Sequence, residues 1–402
     1  MNYHLADGFV LKWLETPAVY DIRGDELYEL DDEAFEFLRE CASPEGGRNG
    51  AGREEFLDYC LSGGILAPES VPVKSPLLMQ SPLPSLRYLE LQITDRCNLK
   101  CRHCYIGKKE FRELSLQEVE GILNEFEEMQ GLRLLVTGGE PLLHSRFREI
   151  NALLPRYRFR KILFTNGLLL KKEDLEMLNV DEIQFSVDGL EYGHDLFRGK
   201  GTYRVVMQRV EDALAAGIPV SVATMVHREN LKEFGAMEAL FQGIGIRDWT
   251  VDVPCVTGNL KDNPMLQVLP ETAGRYLNYG FGGGVHGGGD GYACGLHLVS
   301  VLADGNVCKC TFYSHAPSGR IAEGLRNCWA KTGHVQLERL ECAALSCPVI
   351  DACRGGCRFR AECSHQDCPG DSEDRAERGL RRDFYKCYGY GIIKQSGHEA
   401  RE

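Results

Sequence analysis

The chain has 402 residues, 43% of them hydrophobic and 26% charged, enough to bury a large core in two or three domains. No uninterrupted apolar stretch approaches the roughly 20 residues of a membrane span. The start, MNYHLADGFVLKW, lacks the basic-then-apolar layout of a secretory signal, so a cytoplasmic protein without a membrane partner is expected. The formal charge of −13 is uneven, with fifteen Asp or Glu against five Lys or Arg in residues 1–66. Such a field argues against nucleic acid and suits a basic or neutral peptide. Seventeen cysteines in a reducing compartment point to metal ligation rather than disulfides. Cys41, Cys60, Cys255 and Cys328 have no ligand-like neighbours in sequence and read as scattered buried thiols.

In chain order, the runs GFVLKWLE, AVYDIR and ELYEL predict three strands, and DDEAFEFLREC and GREEFLDYCL predict two acidic helices. They form a small α+β module over residues 1–75. Prolines 68, 72, 76, 82 and 84 remove backbone donors and predict an extended linker, placed at 76–85. From 86 to 280, six strand-like segments alternate with helical ones: LRYLELQIT, LRLLVTGG, KILFTNG, EIQFSVDG, PVSVATMV and DWTVDVP. This alternation predicts a parallel β/α array with its site at the strands' C-terminal ends. Residues 280–291, eight-twelfths glycine, predict a drop in order and a boundary at 281–291. Residues 292–402 hold eleven cysteines and few long apolar periods, so metal rather than a large core is expected to hold them.

Directly after the first strand of the array comes TDRCNLKCRHCY, in which Cys97, Cys101 and Cys104 share one loop. A structural zinc wants a fourth protein ligand nearby, and none precedes Cys255. Three thiolates suit a 4Fe–4S cluster with one iron left open. At the end of the second strand, TGGEPLL offers Gly138 and Gly139 for close backbone approach and Glu140, followed by Pro141, as an acceptor for an ammonium group. The third strand ends in Thr165 and Asn166, the fourth in Ser186 and Asp188, and Arg198 follows in HDLFRGKGTY. His144 and His194 read as loop-stabilising residues rather than catalysts.

The spacing C-x3-C-x2-C with these companions resembles the radical S-adenosylmethionine (SAM) superfamily. The resemblance implies an α/β fold, a partial (β/α)6 TIM-like barrel. It also implies a cluster on Cys97, Cys101 and Cys104 whose open iron chelates the methionine end of the cofactor, and an external low-potential electron donor such as a flavodoxin or ferredoxin. Reductive cleavage of the cofactor then yields a 5′-deoxyadenosyl radical that takes a hydrogen atom from a substrate C–H bond. His103, Tyr105, Gly138, Gly139, Glu140, Pro141, Thr165, Asn166, Ser186, Asp188 and Arg198 match positions that the family uses around that cofactor. Ser186 and Arg198 are assigned to its carboxylate.

Downstream, Cys294, Gly305-x4-Cys310, Cys342-x4-Cys347-x5-Cys353-x3-Cys357 and Cys387 resemble the SPASM domain, which binds two auxiliary 4Fe–4S clusters. The usual C-x2-C is here C-x4-C. Carried over by position, Cys294, Cys310 and Cys357 hold the nearer cluster, its fourth ligand left open between a vacant iron and Cys308. Cys342, Cys347, Cys353 and Cys387 hold the farther one, with Cys368 in reserve and Cys363 extra. Sulfatase-maturing relatives carry an aspartate base where this chain has Thr311, and a hydroxyl is a poor substitute, so formylglycine formation is disfavoured.

The element order of residues 1–75 resembles the winged-helix-like, PqqD-type module that captures leader peptides on a sheet edge. Together these likenesses imply oxidative modification or crosslinking, by a thioether or carbon–carbon bond, of a ribosomally made precursor peptide. Oxidation of a protein side chain, maturation of a non-peptide cofactor, and a non-catalytic iron–sulfur or zinc scaffold are the alternatives.

Overall fold

The computed structural model describes residues 2–48, 53–68, 78–284, 289–363 and 380–393. The N-terminal module contains two small antiparallel sheets. One is a meander of β2 (Phe9–Trp13), β3 (Pro17–Asp21) and β4 (Glu26–Glu29). The other places β1 (Asn2–Leu5) between β5 (Gly47–Arg48) and β6 (Leu66–Pro68), and was not foreseen because its strands are too short to show a period. Helices α1 (Asp32–Cys41) and α2 (Glu54–Ser62) complete the module. Asp31 caps α1 by accepting from the Ala34 N–H. Phe35, Phe37, Leu38, Leu57, Cys41 and Cys60 build the module's core, so the last two are buried structural thiols.

The central sheet runs β12-β11-β10-β9-β8-β7-β13-β14-β15. Six of its parallel strands are β7 (Tyr88–Gln92), β8 (Arg133–Thr137), β9 (Arg160–Thr165), β10 (Glu182–Ser186), β11 (Val220–Met225) and β12 (Asp248–Asp252). Successive strands are joined through α3 (Leu116–Glu128), α4 (Phe147–Leu153), α5 (Lys172–Leu175), α6 (Glu191–Arg198) with α7 (Thr202–Ala215), and α8 (Phe234–Ile244). A full capping box of Ser115 and Glu118 starts α3. Side chains alternate along each strand. On β7, Leu89 and Leu91 join the core beneath the helices, which leaves Glu90 and Gln92 on the inner face.

The glycine-rich stretch does not divide the chain into separate sheets. β13 (Leu298–Val301) pairs parallel with β7, Leu298 opposite Tyr88, and β14 (Asn306–Cys308) and β15 (Gly319–Arg320) extend the same sheet. The cysteine-rich segment therefore grows out of the barrel edge. Residues 285–288, the centre of the glycine run, lie outside the described residues, as do Pro72 and Pro76 of the linker. The described part of that linker, residues 78–85, is packed: Ser81 is buried and donates to the Met129 carbonyl, while its N–H donates to the Trp13 carbonyl. Cys328 lies in the barrel core beside Trp329.

The N-terminal module docks against the strands' N-terminal ends. Arg133 and Arg160, the first residues of β8 and β9, reach Asp25 at 2.7 and 3.3 Å. Lys12, fully buried, donates to the carbonyls of Gly131 and Arg158. Arg247, just before β12, donates to the Gly24 carbonyl at 2.6 Å. The face opposite this module is the one that bears the polar motifs. Among the described residues no helix is long and apolar enough to cross a membrane.

Candidate active site

At the C-terminal ends of the parallel strands lies a cavity of about 280 Å³. Cys97, Cys101 and Cys104 all line it, together with His103, Tyr105, Gly138, Gly139, Thr165, Asn166, Ser186 and Arg198. Glu140, Pro141 and Asp188, grouped with them on sequence, stand behind its wall. The three-cysteine loop is held by the end of β8: the Gly139 N–H donates to the Thr94 carbonyl and the Glu140 N–H to the Arg96 carbonyl, both at 2.7 Å. A Cβ on Gly139 would lie 2.4 Å from the Arg96 oxygen, and one on Gly138 2.7 Å from the Thr94 oxygen. Only glycines allow that approach.

Glu140 is wholly buried and already satisfied. It accepts from the Thr165 hydroxyl and the Asn166 N–H, both at 2.8 Å, and from the Leu142 N–H at 3.3 Å. These bonds tie the end of β8 to that of β9. Burial, opposed by the same bonds, lifts its carboxyl to about 7. Glu140 thereby braces the rim beside the cavity. Asp188 works similarly, at zero exposure: it receives Arg198 Nε at 2.5 Å and stands 3.8 Å from His103 Nε2. Against a desolvation that would raise it, the Arg198 guanidinium holds the Asp188 carboxyl down at about 2. The ion pair aims Arg198 from the end of α6 into the cavity. Burial drives His103 down to about 3, and its ring stacks on Phe197 at 4.0 Å; it therefore sits there neutral. His144 accepts from the Arg146 N–H and bonds the Leu114 carbonyl, and His194 takes the Asp188 N–H, so both support loops as expected.

The donor set fits an iron–sulfur cluster with a chelated cofactor. Three thiols face one enclosed space. The Leu99 N–H and the Asn166 side chain approach Cys97 Sγ at 3.4 and 3.9 Å, as expected around a ligating thiolate. Burial raises the Cys101 thiol to about 11, so loading with iron must release its proton. Among the described residues no three His, Cys, Asp or Glu side chains close on a single metal ion; a four-iron cluster spreads its thiolates around a larger body.

Two features escaped the sequence reading. Glu90 is the one carboxylate among the described lining residues; it accepts from the Ser300 hydroxyl. Its place between Leu89 and Leu91, in phase with Gln92 on the strand LRYLELQIT, was the available signal. Cys255 also lines the cavity and hydrogen-bonds the Cys357 thiol, so it is not a scattered buried thiol. No local pattern announced it. Around it, Cys357 acts on the thiols of Cys294 and Cys310, and Cys294 on that of Cys310. In a second set, Cys342 acts on Cys353 and Cys387, Cys353 acts on Cys387, and Cys347 acts on Cys342. Cys308 is buried with no cysteine among the groups acting on it. Cys368 lies outside the described residues.

Three thiols and a ring of strand-end donors at the C-terminal rim of a parallel β/α array define a cofactor-dependent barrel enzyme. The family profile of the Radical SAM superfamily matches residues 91–241. The chain is 30% identical over 308 residues to the mycofactocin maturase MftC of Mycolicibacterium smegmatis, covering 67% of this chain and 77% of that one. An AdoMet-dependent heme synthase of Oleidesulfovibrio alaskensis is 27% identical over 217 residues, 51% of this chain and 55% of its own length. In architecture the chain is similar to Streptococcus suis SuiB bound to SAM, with a TM-score of 0.66 at 14% identity over 94% of this chain and 99% of that one. The chain belongs to the radical SAM superfamily, whose members use SAM and a 4Fe–4S cluster.

Proposed function

We propose that this enzyme is a maturase that oxidises or crosslinks a ribosomally made precursor peptide. MftC is by name a maturase, and SuiB has been solved bound to its precursor peptide SuiA. The observation that carries the reading is that one cavity borders both cysteine regions. Its lining runs from Cys97, Cys101 and Cys104 to Cys255, Thr311 and Phe312, the last two directly following Cys310.

Cys97, Cys101 and Cys104 hold the cluster that, with SAM bound, supplies a hydrogen-abstracting radical. The glycine backbone at 138–139 and Ser186 present hydrogen-bonding groups to the cofactor, and Arg198, steadied by Asp188, faces its carboxylate. Thr165, Asn166 and Glu140 fix the rim, Pro141 backs its wall, and Tyr105 closes one side. The walls exclude water and position the substrate C–H bond. Residues 292–402 form a SPASM domain with two auxiliary clusters. Cys294, Cys310 and Cys357 belong to the nearer, and Cys342, Cys347, Cys353 and Cys387 to the farther.

Residues 1–75 form a winged-helix-like module that captures the leader on a sheet edge. Because the module sits at the strands' N-terminal ends, a captured leader and the modified residue lie on opposite faces of the barrel. The precursor must therefore span at least the length of a five-residue strand, roughly 17 Å, between them. A flavodoxin- or ferredoxin-like donor supplies the electron.

Anaerobic reconstitution with iron, sulfide, reductant and SAM tests the core of this reading. It should yield 5′-deoxyadenosine, and Cys97→Ala should abolish that product; a wild type that forms none overturns it. Iron near twelve per chain is expected for three four-iron clusters, about eight if one auxiliary site is absent. Deleting residues 1–75 should weaken binding of the peptide encoded beside the gene. A second reading, maturation of a non-peptide cofactor, is favoured by the heme synthase relative; it predicts stimulated SAM cleavage on adding an iron porphyrin and none on adding peptide.

A further inference from the structure

Among the described residues four thiols from distant regions of the chain meet beside the cavity. Cys255 lies three residues past the end of β12 and is hydrogen-bonded with the Cys357 thiol. Cys357 in turn acts on Cys294 and on Cys310, and Cys294 acts on Cys310. The first of these contacts is built in by surrounding bonds. Arg360, in the helix Arg358–Cys363 that follows Cys357, donates to Asp252 at 2.7 Å and to the Val253 carbonyl at 2.9 Å. Asp383 receives Arg360 at 2.8 Å and the Cys357 N–H at 2.9 Å. This buried clamp fixes the end of β12 against the Cys357 turn. Beyond Cys255 the same loop reaches the other site: the Asn259 N–H donates to the Cys104 carbonyl and its side chain to the Cys101 carbonyl, both at 2.9 Å.

A four-iron cluster held by three protein thiolates leaves one iron position vacant, as at Cys97, Cys101 and Cys104; a fourth thiolate fills it. The nearer auxiliary set has three members by sequence pattern, and no cysteine is among the groups acting on buried Cys308. We propose that Cys255 completes this set with Cys294, Cys310 and Cys357, so that the nearer auxiliary cluster is fully ligated and has no vacant iron for a substrate thiolate. This inference rests on the auxiliary-cluster reading above. It leaves electron transfer as the role open to that cluster, and assigns to the loop 255–259 the coupling of the two sites.

The test needs no peptide. A Cys97→Ala, Cys101→Ala, Cys104→Ala variant isolates the auxiliary clusters and should reconstitute with about eight irons per chain. Mild ferricyanide oxidation should leave that number unchanged. Adding Cys255→Ala should cost about one iron on the same oxidation and produce a three-iron EPR signal, because the unprotected corner of the cluster is lost. Cys255→Ser, the conservative second variant, should shift the EPR spectrum of the reduced protein while retaining iron, and Cys328→Ala should change neither measurement. Identical iron loss and identical spectra with and without Cys255 overturn the assignment. A triple variant that binds no iron instead overturns the auxiliary-cluster reading beneath it.

Discussion

Replacing Asp25 by alanine tests how firmly the N-terminal module is anchored to the barrel. The carboxylate is about a tenth exposed and meets Arg133 at 2.7 Å, Arg160 at 3.3 Å and the Tyr20 hydroxyl at 2.5 Å. Removing one partner of a buried ion pair costs roughly 3–5 kcal/mol because the remaining charge is left uncompensated. Arg160 would keep Glu182 at 2.6 Å and the Ile22 carbonyl at 2.8 Å, and Arg133 would keep the Gly284 carbonyl. The expected loss therefore falls at the low end, about 3 kcal/mol. The comparison is Arg23→Ala, which breaks only the pair with Asp7, both side chains more than 60% exposed, and should cost under about 1 kcal/mol. Urea unfolding followed by tryptophan fluorescence reads both, since Trp13 lies in the module and Trp249 in the barrel. Limited proteolysis of the Asp25→Ala protein should release the module first. Equal stability losses in the two variants would refute the reasoning, because burial would then add nothing to the Asp25 pairs.

Four further outcomes are expected. Burial lowers the Lys12 ammonium to about 7, so below pH 7 the folded and unfolded states both hold the proton and the desolvation cost is fully present. As pH rises from 7 to about 10.4 the folded state sheds it first; stability relative to Lys12→Met should rise across that window, measured by unfolding at each pH. Gly139→Ala would push a methyl group against the Arg96 and Asp95 carbonyls at 2.4 and 2.5 Å and should cut SAM affinity at least tenfold with loss of the first cluster's absorbance. Gly121→Ala, in the middle of α3 with nothing within 4 Å of the added carbon, should stabilise the protein by roughly 0.5–1 kcal/mol in the same urea assay. Arg198→Met should raise the SAM dissociation constant at least tenfold by calorimetry while leaving the iron content unchanged, since it faces the cavity but is no ligand.

What was legible in sequence was local. The spacing of Cys97, Cys101 and Cys104 lies in one loop, and the six strands announce themselves by runs such as KILFTNG and EIQFSVDG followed by small polar residues. Parallel β/α order then places every strand end on one rim, which is how Thr165, Asn166, Ser186 and Arg198 could be grouped before any coordinates. Pattern could not tell a residue that faces the cavity from one that braces it. Glu140 and Asp188 are polar residues in motif positions, yet their hydrogen bonds to Thr165 and Asn166 and to Arg198 turn both into supports. Nor could it see that residues 78–85, rich in proline, are clamped by Ser81 and Trp329.

The sequence by itself thus determined the barrel, the three-thiol loop and the abundance of cysteine beyond it, because each depends on spacing within a few residues. Only the tertiary structure decided that β13 returns to pair with β7, that the acidic module sits on the far face, and that Cys255, just past a barrel strand, meets Cys357. Those pairings join residues far apart in the chain, and their partners are chosen by the closing of the sheet and by buried charge, for which no local period exists.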